Sequence, residues 1–205
     1  TTLFRSHQDF GESRVQQMVQ RAAMIEEYLA RVRTAPETAA GSDVDPDRLP
    51  RQARWHMIGR LQRNKAKKAV ETARLIHSVD SMRLAEEIQQ IALKREEPAD
   101  ILLQVNASGE AKKTGITPPA APHVAEQIET MVNVRLRGLM TMAPHTDDRA
   151  VIESAFRRCA EVFEDIRALN LAEGQFNLLS MGMSGDYELA IRCGANVVRV
   201  GSALF

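Results

Sequence analysis

Two short stretches near the end of the chain combine glycine, hydroxyl and backbone amide groups in the way an anion site requires. They are Ser180-Met-Gly-Met-Ser-Gly-Asp186 and Arg199-Val-Gly-Ser202, and each follows an apolar run, "FNLL" and "NVV". A strand that ends in Gly-Met-Ser-Gly and turns at once into a helix offers free N–H groups, the Ser184 hydroxyl and the positive end of a helix dipole. Met183 and Ser184 would supply one wall of such a site, and Gly201 and Ser202 the other. The same residues also suit ordinary chain reversal, with Ser184 as a helix cap and Gly182 and Gly201 as turn residues. Their pairing on two successive strands favours the anion.

The charged neighbours set further expectations. Asp186 would compete with a bound dianion and is expected to face outward. Arg199 lies between Val198 and Val200, and burying a guanidinium in the helix layer would be costly. It is expected to point toward the mouth of the fold, to meet either a ligand heteroatom or a carboxylate such as Glu12. In "WHMIGRLQRNK", His56 reads as a hydrogen-bonded core histidine, and Lys65, Lys67 and Lys68 as a solvated helix face. No Ser-His-Asp arrangement, paired carboxylates or metal-ligand cluster stands out.

These residues need a scaffold, and the chain alternates the elements of one. After a strand at Gln8–Glu12, apolar residues recur at helical spacing from Val15 through Met18, Ala22, Ile25 and Leu29 to Val32. Residues 34–51, rich in Pro, Ala, Asp and Gly, read as a surface loop or insertion. Strands follow at "RWHMIG", "RLIHSVD", "ADILLQVNAS", "VRLRGLMTMAP", "FNLLSMGM" and "NVVRVGSALF", with helical segments between them. One of these carries Ile152, Ala155, Phe156, Cys159, Val162, Phe163, Ile166 and Leu169 on a single face. Seven strands alternating with six helices predict right-handed crossovers and a parallel sheet. The reading is one α/β domain over 1–205, a (βα)8 TIM-type barrel lacking its first strand and last helix. An open doubly wound sheet is the alternative, against which stands the absence of GxGxxG. In a barrel, the loops after the seventh and eighth strands are where phosphate groups are held.

Composition narrows the function class. Lys+Arg and Asp+Glu are both 27 of 205 residues, so no global field draws the chain to nucleic acid or an anionic membrane. No run approaches the ~18 apolar residues of a membrane span. Cys159 and Cys193 have no metal-ligand spacing and make no disulfide framework, so a reducing cytoplasm is the expected compartment.

Taken as an ordered set, "DFGES", "WHMIGRLQRNK", "IHSVD", "LQVNASGEAKKTGI", "LRGLMTM", "LLSMGMSGDYELAI" and "VVRVGSALF" resemble the pyridoxal phosphate homeostasis protein family. That family has the fold of the alanine racemase N-terminal domain. The resemblance implies pyridoxal 5′-phosphate (PLP) as cofactor, with Met183, Ser184, Gly201 and Ser202 about its phosphate and Arg199 facing the pyridine nitrogen. It implies a role in vitamin B6 homeostasis and amino-acid balance without robust turnover, with apo PLP-dependent enzymes as partners and a monomeric or weakly dimeric state. Two departures stand out. Relatives carry a Schiff-base lysine in a strand of the type "AVSKTKP" before the "DFGES" segment, whereas no lysine precedes Lys65 here. The chain as given is therefore expected to lack the covalent anchor and to form no internal Schiff base. Ser13-Arg14 also stands where many relatives have Asn-Tyr. The alternatives are a fold-type III racemase or decarboxylase, which needs a second, β-rich domain, and a barrel that holds another phosphorylated metabolite or a flavin.

Overall fold

In a computed structural model that describes residues 8–34, 52–110, 113–171 and 174–203, seven strands run parallel in one sheet. They are β1 (Asp9–Glu12), β2 (Arg54–Met57), β3 (Leu75–Val79), β4 (Ala99–Gln104), β5 (Val134–Met140), β6 (Leu178–Met183) and β7 (Val197–Arg199). Their spatial order is their order in the chain, so β1 and β7 form the two edges. The helices that join them are α1 (Val15–Thr34), α2 (Ala66–Thr72), α3 (Met82–Leu93), α4 (Ala121–Glu129), α5 (Arg149–Ala168) and α6 (Tyr187–Arg192). Sequential parallel order with helical crossovers gives a nearly closed TIM-type barrel and excludes the doubly wound alternative, whose strand order reverses. The expected loop over 34–51 falls, beyond Thr34, outside the described residues.

The strands divide their side chains between two environments, as the period-two alternation of a sheet requires. Ile76, Ile101, Leu103, Leu136, Leu139, Leu179 and Met181 join the helices in one large core. From α3 come Leu84, Ala85, Ile88 and Ala92, and from α5 Ala155, Phe156, Cys159, Val162, Phe163 and Ile166, all buried. The alternate residues Leu75, Leu102 and Met140 form a separate small cluster with Leu178. That cluster fills part of the barrel interior, and polar side chains on the same face occupy the rest.

Local chemistry explains several boundaries. Asp148 caps α5 by accepting hydrogen bonds from Ala150 N at 2.9 Å and Val151 N at 3.4 Å, which satisfies donors that the first helical turn cannot. Leu169, expected on the inner face of that helix, is its C-cap and 43% exposed. The periodicity outruns the helix by one residue there, because Leu169 N already bonds Ile166 O in the final turn. A 3-10 turn over Arg63–Lys65 leads into α2. Lys65 is half-buried in that turn, while Lys67 and Lys68 lie on the solvated face.

Candidate functional site

At the C-terminal ends of the last two strands, the loops after β6 and β7 meet. The Ser184 Oγ accepts hydrogen bonds from Gly201 N at 3.1 Å and from Ala203 N at 3.3 Å. Two backbone N–H groups from one loop thus converge on a single oxygen of the other. Ser184 does not cap α6, since the N-cap is Asp186 and it makes no side-chain cap hydrogen bond. A Cβ added at Gly185 or at Gly201 would meet nothing within 4 Å, so space lies open on both sides of the contact. Met183 is 42% exposed beside it. Ser202 is exposed in the turn after β7, and its hydroxyl makes no hydrogen bond among the described residues. A cavity of about 740 Å³ runs from Met183–Leu189 to Met142–Asp147 on the loop after β5.

Two expectations about this end of the fold are corrected. Asp186 does not face outward; its Oδ1 accepts from Met183 N at 2.6 Å, and the half-buried carboxylate turns back onto its own loop. With only six residues, α6 is too short for its dipole to be a strong anion attractant. The donors that converge at Ser184 are loop amides instead.

Arg199 points into the barrel. Its Nη1 donates to Ser180 Oγ at 2.6 Å and its Nη2 to the Thr141 carbonyl at 2.8 Å. Glu12 is not its partner. The Glu12 carboxylate, 5% exposed, accepts from Ser13 N at 2.8 Å and Arg14 N at 3.3 Å and forms an ion pair with Arg21. Burial pushes the Arg199 guanidinium down to about 10, opposed by the nearby Asp186 carboxylate. It is still a cation at neutral pH.

Behind Arg199 lies a chain of side chains from four further positions on the sheet. Ser180 Oγ is 3.0 Å from His77 Nδ1, His77 Nε2 is 2.9 Å from His56 Nδ1, and His56 Nε2 is 3.0 Å from Asp9 Oδ1. Asp9 also pairs with Arg54 at 2.6 Å across the β1–β2 register. Asp9, His56, His77 and Arg199 share a cavity of about 280 Å³ with Gly11, Ile58 and the end of β7. His56 is therefore hydrogen-bonded within the fold, as a core histidine would be, but it lines the same cavity as Arg199. His77, Thr141 and Asp9 escaped the reading of the sequence. The available signal was the polar pair His77-Ser78 inside an apolar strand, since a buried polar group needs partners. Nothing local says that those partners are 21 and 103 residues away.

Burial holds His77 well below the ordinary histidine value near 6.5, and the adjacent His56 and Arg199 charges push the same way. His56 is lowered too, chiefly by burial and against the pull of Asp9. Both rings stay neutral in the folded protein under conditions in which the unfolded chain takes up protons. The unfolded state then binds more protons, so stability falls as pH drops below 6.5, until the folded-state values are reached. For one buried ring that stays neutral the loss is about 1.4 kcal/mol at one unit below 6.5. From His77 alone the expected contribution is a Tm lower by about 3–6 °C near pH 5.5 than near pH 7.5, and that part of the slope should be absent in His77→Gln. A flat Tm over this interval would mean that His77 is charged in the folded protein.

Fold and site together define a parallel barrel that presents two converging loops at the C-terminal end of its last strands. The family model described as alanine racemase, N-terminal domain, matches residues 5–205. A pyridoxal phosphate homeostasis protein of Pseudomonas aeruginosa is 39% identical over 188 residues, which is 90% of this chain and 78% of that protein. One from Aquifex aeolicus is 41% identical over 152 residues, covering 74% of this chain and 65% of that protein. PipY of Synechococcus elongatus, solved with PLP bound, superposes with a TM-score of 0.77 at 31% identity, covering 98% of this chain and 82% of that one. The chain belongs to the pyridoxal phosphate homeostasis protein family. Among its described residues no helix is long and apolar enough to cross a membrane.

Proposed function

We propose that this chain binds PLP with the phosphate at the Ser184–Gly201 contact and Arg199 toward the ring, and that it serves vitamin B6 homeostasis rather than amino-acid turnover. The observation that carries the reading is the convergence of the Gly201 and Ala203 amides on one oxygen beside open space. Those donors, with the Ser184 hydroxyl, suit an oxyanion that accepts several hydrogen bonds. Met183 forms the rim and Ser202 adds a second hydroxyl. The bound group would supply a reactive aldehyde and a pyridine ring that can draw electrons from an attached substrate. Arg199 governs the second property. A guanidinium that remains charged at neutral pH, facing the ring nitrogen, keeps that nitrogen unprotonated and makes the ring a poor electron sink. Apo PLP-dependent enzymes are the recipients that such a binding protein would serve.

The relatives' names and the PLP-bound PipY structure support this reading. Its test is equilibrium binding of free PLP. Ser184→Ala is expected to weaken binding by about 1–3 kcal/mol, the loss when a charged acceptor forfeits one good donor. Unchanged affinity in a Ser184→Ala, Ser202→Ala double variant would place the phosphate elsewhere. Measurable racemase or decarboxylase turnover of any amino acid would sink the non-enzymatic half of the proposal.

A further inference from the structure

Asp9, His56, His77, Ser180 and Arg199 come from five different strands, and the distances between them leave one consistent assignment of protons. The Asp9 carboxylate can only accept, so His56 carries its proton on Nε2 and presents a bare Nδ1. His77 must then donate from Nε2 and accept at Nδ1. The Ser180 hydroxyl is the donor available to that Nδ1, which leaves its oxygen free to accept from Arg199. Each link has one donor and one acceptor, and the charged groups sit at the two ends, an anion at Asp9 and a cation at Arg199. In the reverse direction His77 and Arg199 would both donate to Ser180 Oγ, and a hydroxyl hydrogen at a fully buried serine would need a new acceptor. Leaving such a group unpaired is costly.

We infer that this directed chain fixes the position of the Arg199 guanidinium, so that Asp9, half-exposed on the opposite edge strand of the sheet, is a positioning residue for the group Arg199 holds. Two of the five N–H groups of Arg199 are committed, to Ser180 and to Thr141, which pins its plane and leaves the others to face a ligand. The chain also transmits protonation. The groups that face His56 are Asp9, Arg54, Arg74 and His77; those that face His77 are His56, Ser180 and Arg199. A proton added at His56 Nδ1 would set two N–H groups against each other at 2.9 Å. His77 would have to move its own proton to Nδ1, and Ser180 would lose its acceptor beside Arg199. Acid at one edge strand would thus loosen the guanidinium on the other.

The consequence for the ligand rests on the PLP reading above, whereas the direction of the chain does not, and the experiment separates the two. In the ligand-free protein at neutral pH, long-range ¹H–¹⁵N spectra of the imidazoles should show both His56 and His77 neutral with the proton on Nε2. A charged ring, or a proton on Nδ1 of either, overturns the inference without any variant. On acidification, exchange of the Arg199 Nη–H groups with water should accelerate in step with the titration of His56. A rate indifferent to that titration likewise overturns it. Asp9→Ala should accelerate this exchange about tenfold and weaken binding of free PLP about threefold to tenfold, the effect of losing one supporting hydrogen bond. Arg54→Ala, which removes the other partner of Asp9 and leaves the chain intact, should do neither. Equal effects in the two variants would reduce Asp9 to an edge-strand ion pair. If the unaltered chain binds no PLP, the cofactor reading fails, and the tautomers and the Arg199 exchange still decide the chain.

Discussion

Gly138→Ala is expected to destabilise the protein by about 3–6 kcal/mol, from overpacking and backbone strain together. Gly138 sits on β5 at φ +151°, a conformation that residues with a Cβ rarely adopt, and an added Cβ would stand 1.8 Å from the Leu178 carbonyl oxygen. That oxygen belongs to the strand paired with β5, in register Gly138↔Leu178, so the clash cannot be relieved by turning a flexible side chain. The register on the other side shifts between Ile101 and Leu102, so that Leu102 pairs with Gly138 and Arg137 is passed over. Gly138 thus lies where the backbone is bent between two central strands. Relief would require β5 and β6 to separate near Leu178, the residue that packs onto the inner cluster. Urea unfolding of the variant gives the number directly. A midpoint close to that of the unaltered chain would mean that the bend is adjustable.

The strands were legible because a parallel strand covered on both faces reads as an apolar run with little alternation. "ADILLQVNAS" is of this kind, and β4 falls inside it, whereas β5 opens with the alternation Val-Arg-Leu-Arg before its buried half. The helices were legible through their spacing, as with Ile88 on α3 or Phe156 and Cys159 on α5. The limits of that reading are physical. Leu169 continues the period of α5 but falls at the turn that ends it, and periodicity alone carries no stop signal there. The outward placement of Asp186 follows from charge repulsion with a ligand, whereas the carboxylate is taken by the Met183 amide three residues back. For Arg199, the cost of burial among valines favours the mouth or Glu12. The barrel interior instead offers Ser180 and the Thr141 carbonyl, and Glu12 is taken by its own loop and by Arg21. Such partners are set by which strands face one another across the interior. That information lies in the register of the whole sheet and not in any window of sequence.

Ser184→Asp is expected to abolish PLP binding while leaving the fold as stable as before, and it tests the phosphate placement more severely than truncation does. In the free chain the Ser184 oxygen already receives the Gly201 and Ala203 amides. A carboxylate at this position can accept the same two donors, and hydrogen bonds to a charged acceptor are the stronger kind. The loop after β7 should therefore stay docked, with an unchanged or slightly raised Tm. The introduced charge would meet the phosphate dianion at close range. At about 4 Å, a pair of like unit charges near a protein surface repels by roughly 1–4 kcal/mol, and the dianion counts twice. Affinity should fall at least about a hundredfold, and raised salt should recover only part of it, since closely apposed charges in a half-buried site are incompletely screened. Ser184→Asn supplies the neutral comparison, because its amide oxygen can take one of the donors without the charge. It should lose affinity about as Ser184→Ala does. Retained PLP binding in Ser184→Asp, with the fold intact, would remove the phosphate from this loop pair, and with it the reason for placing the ring nitrogen toward Arg199.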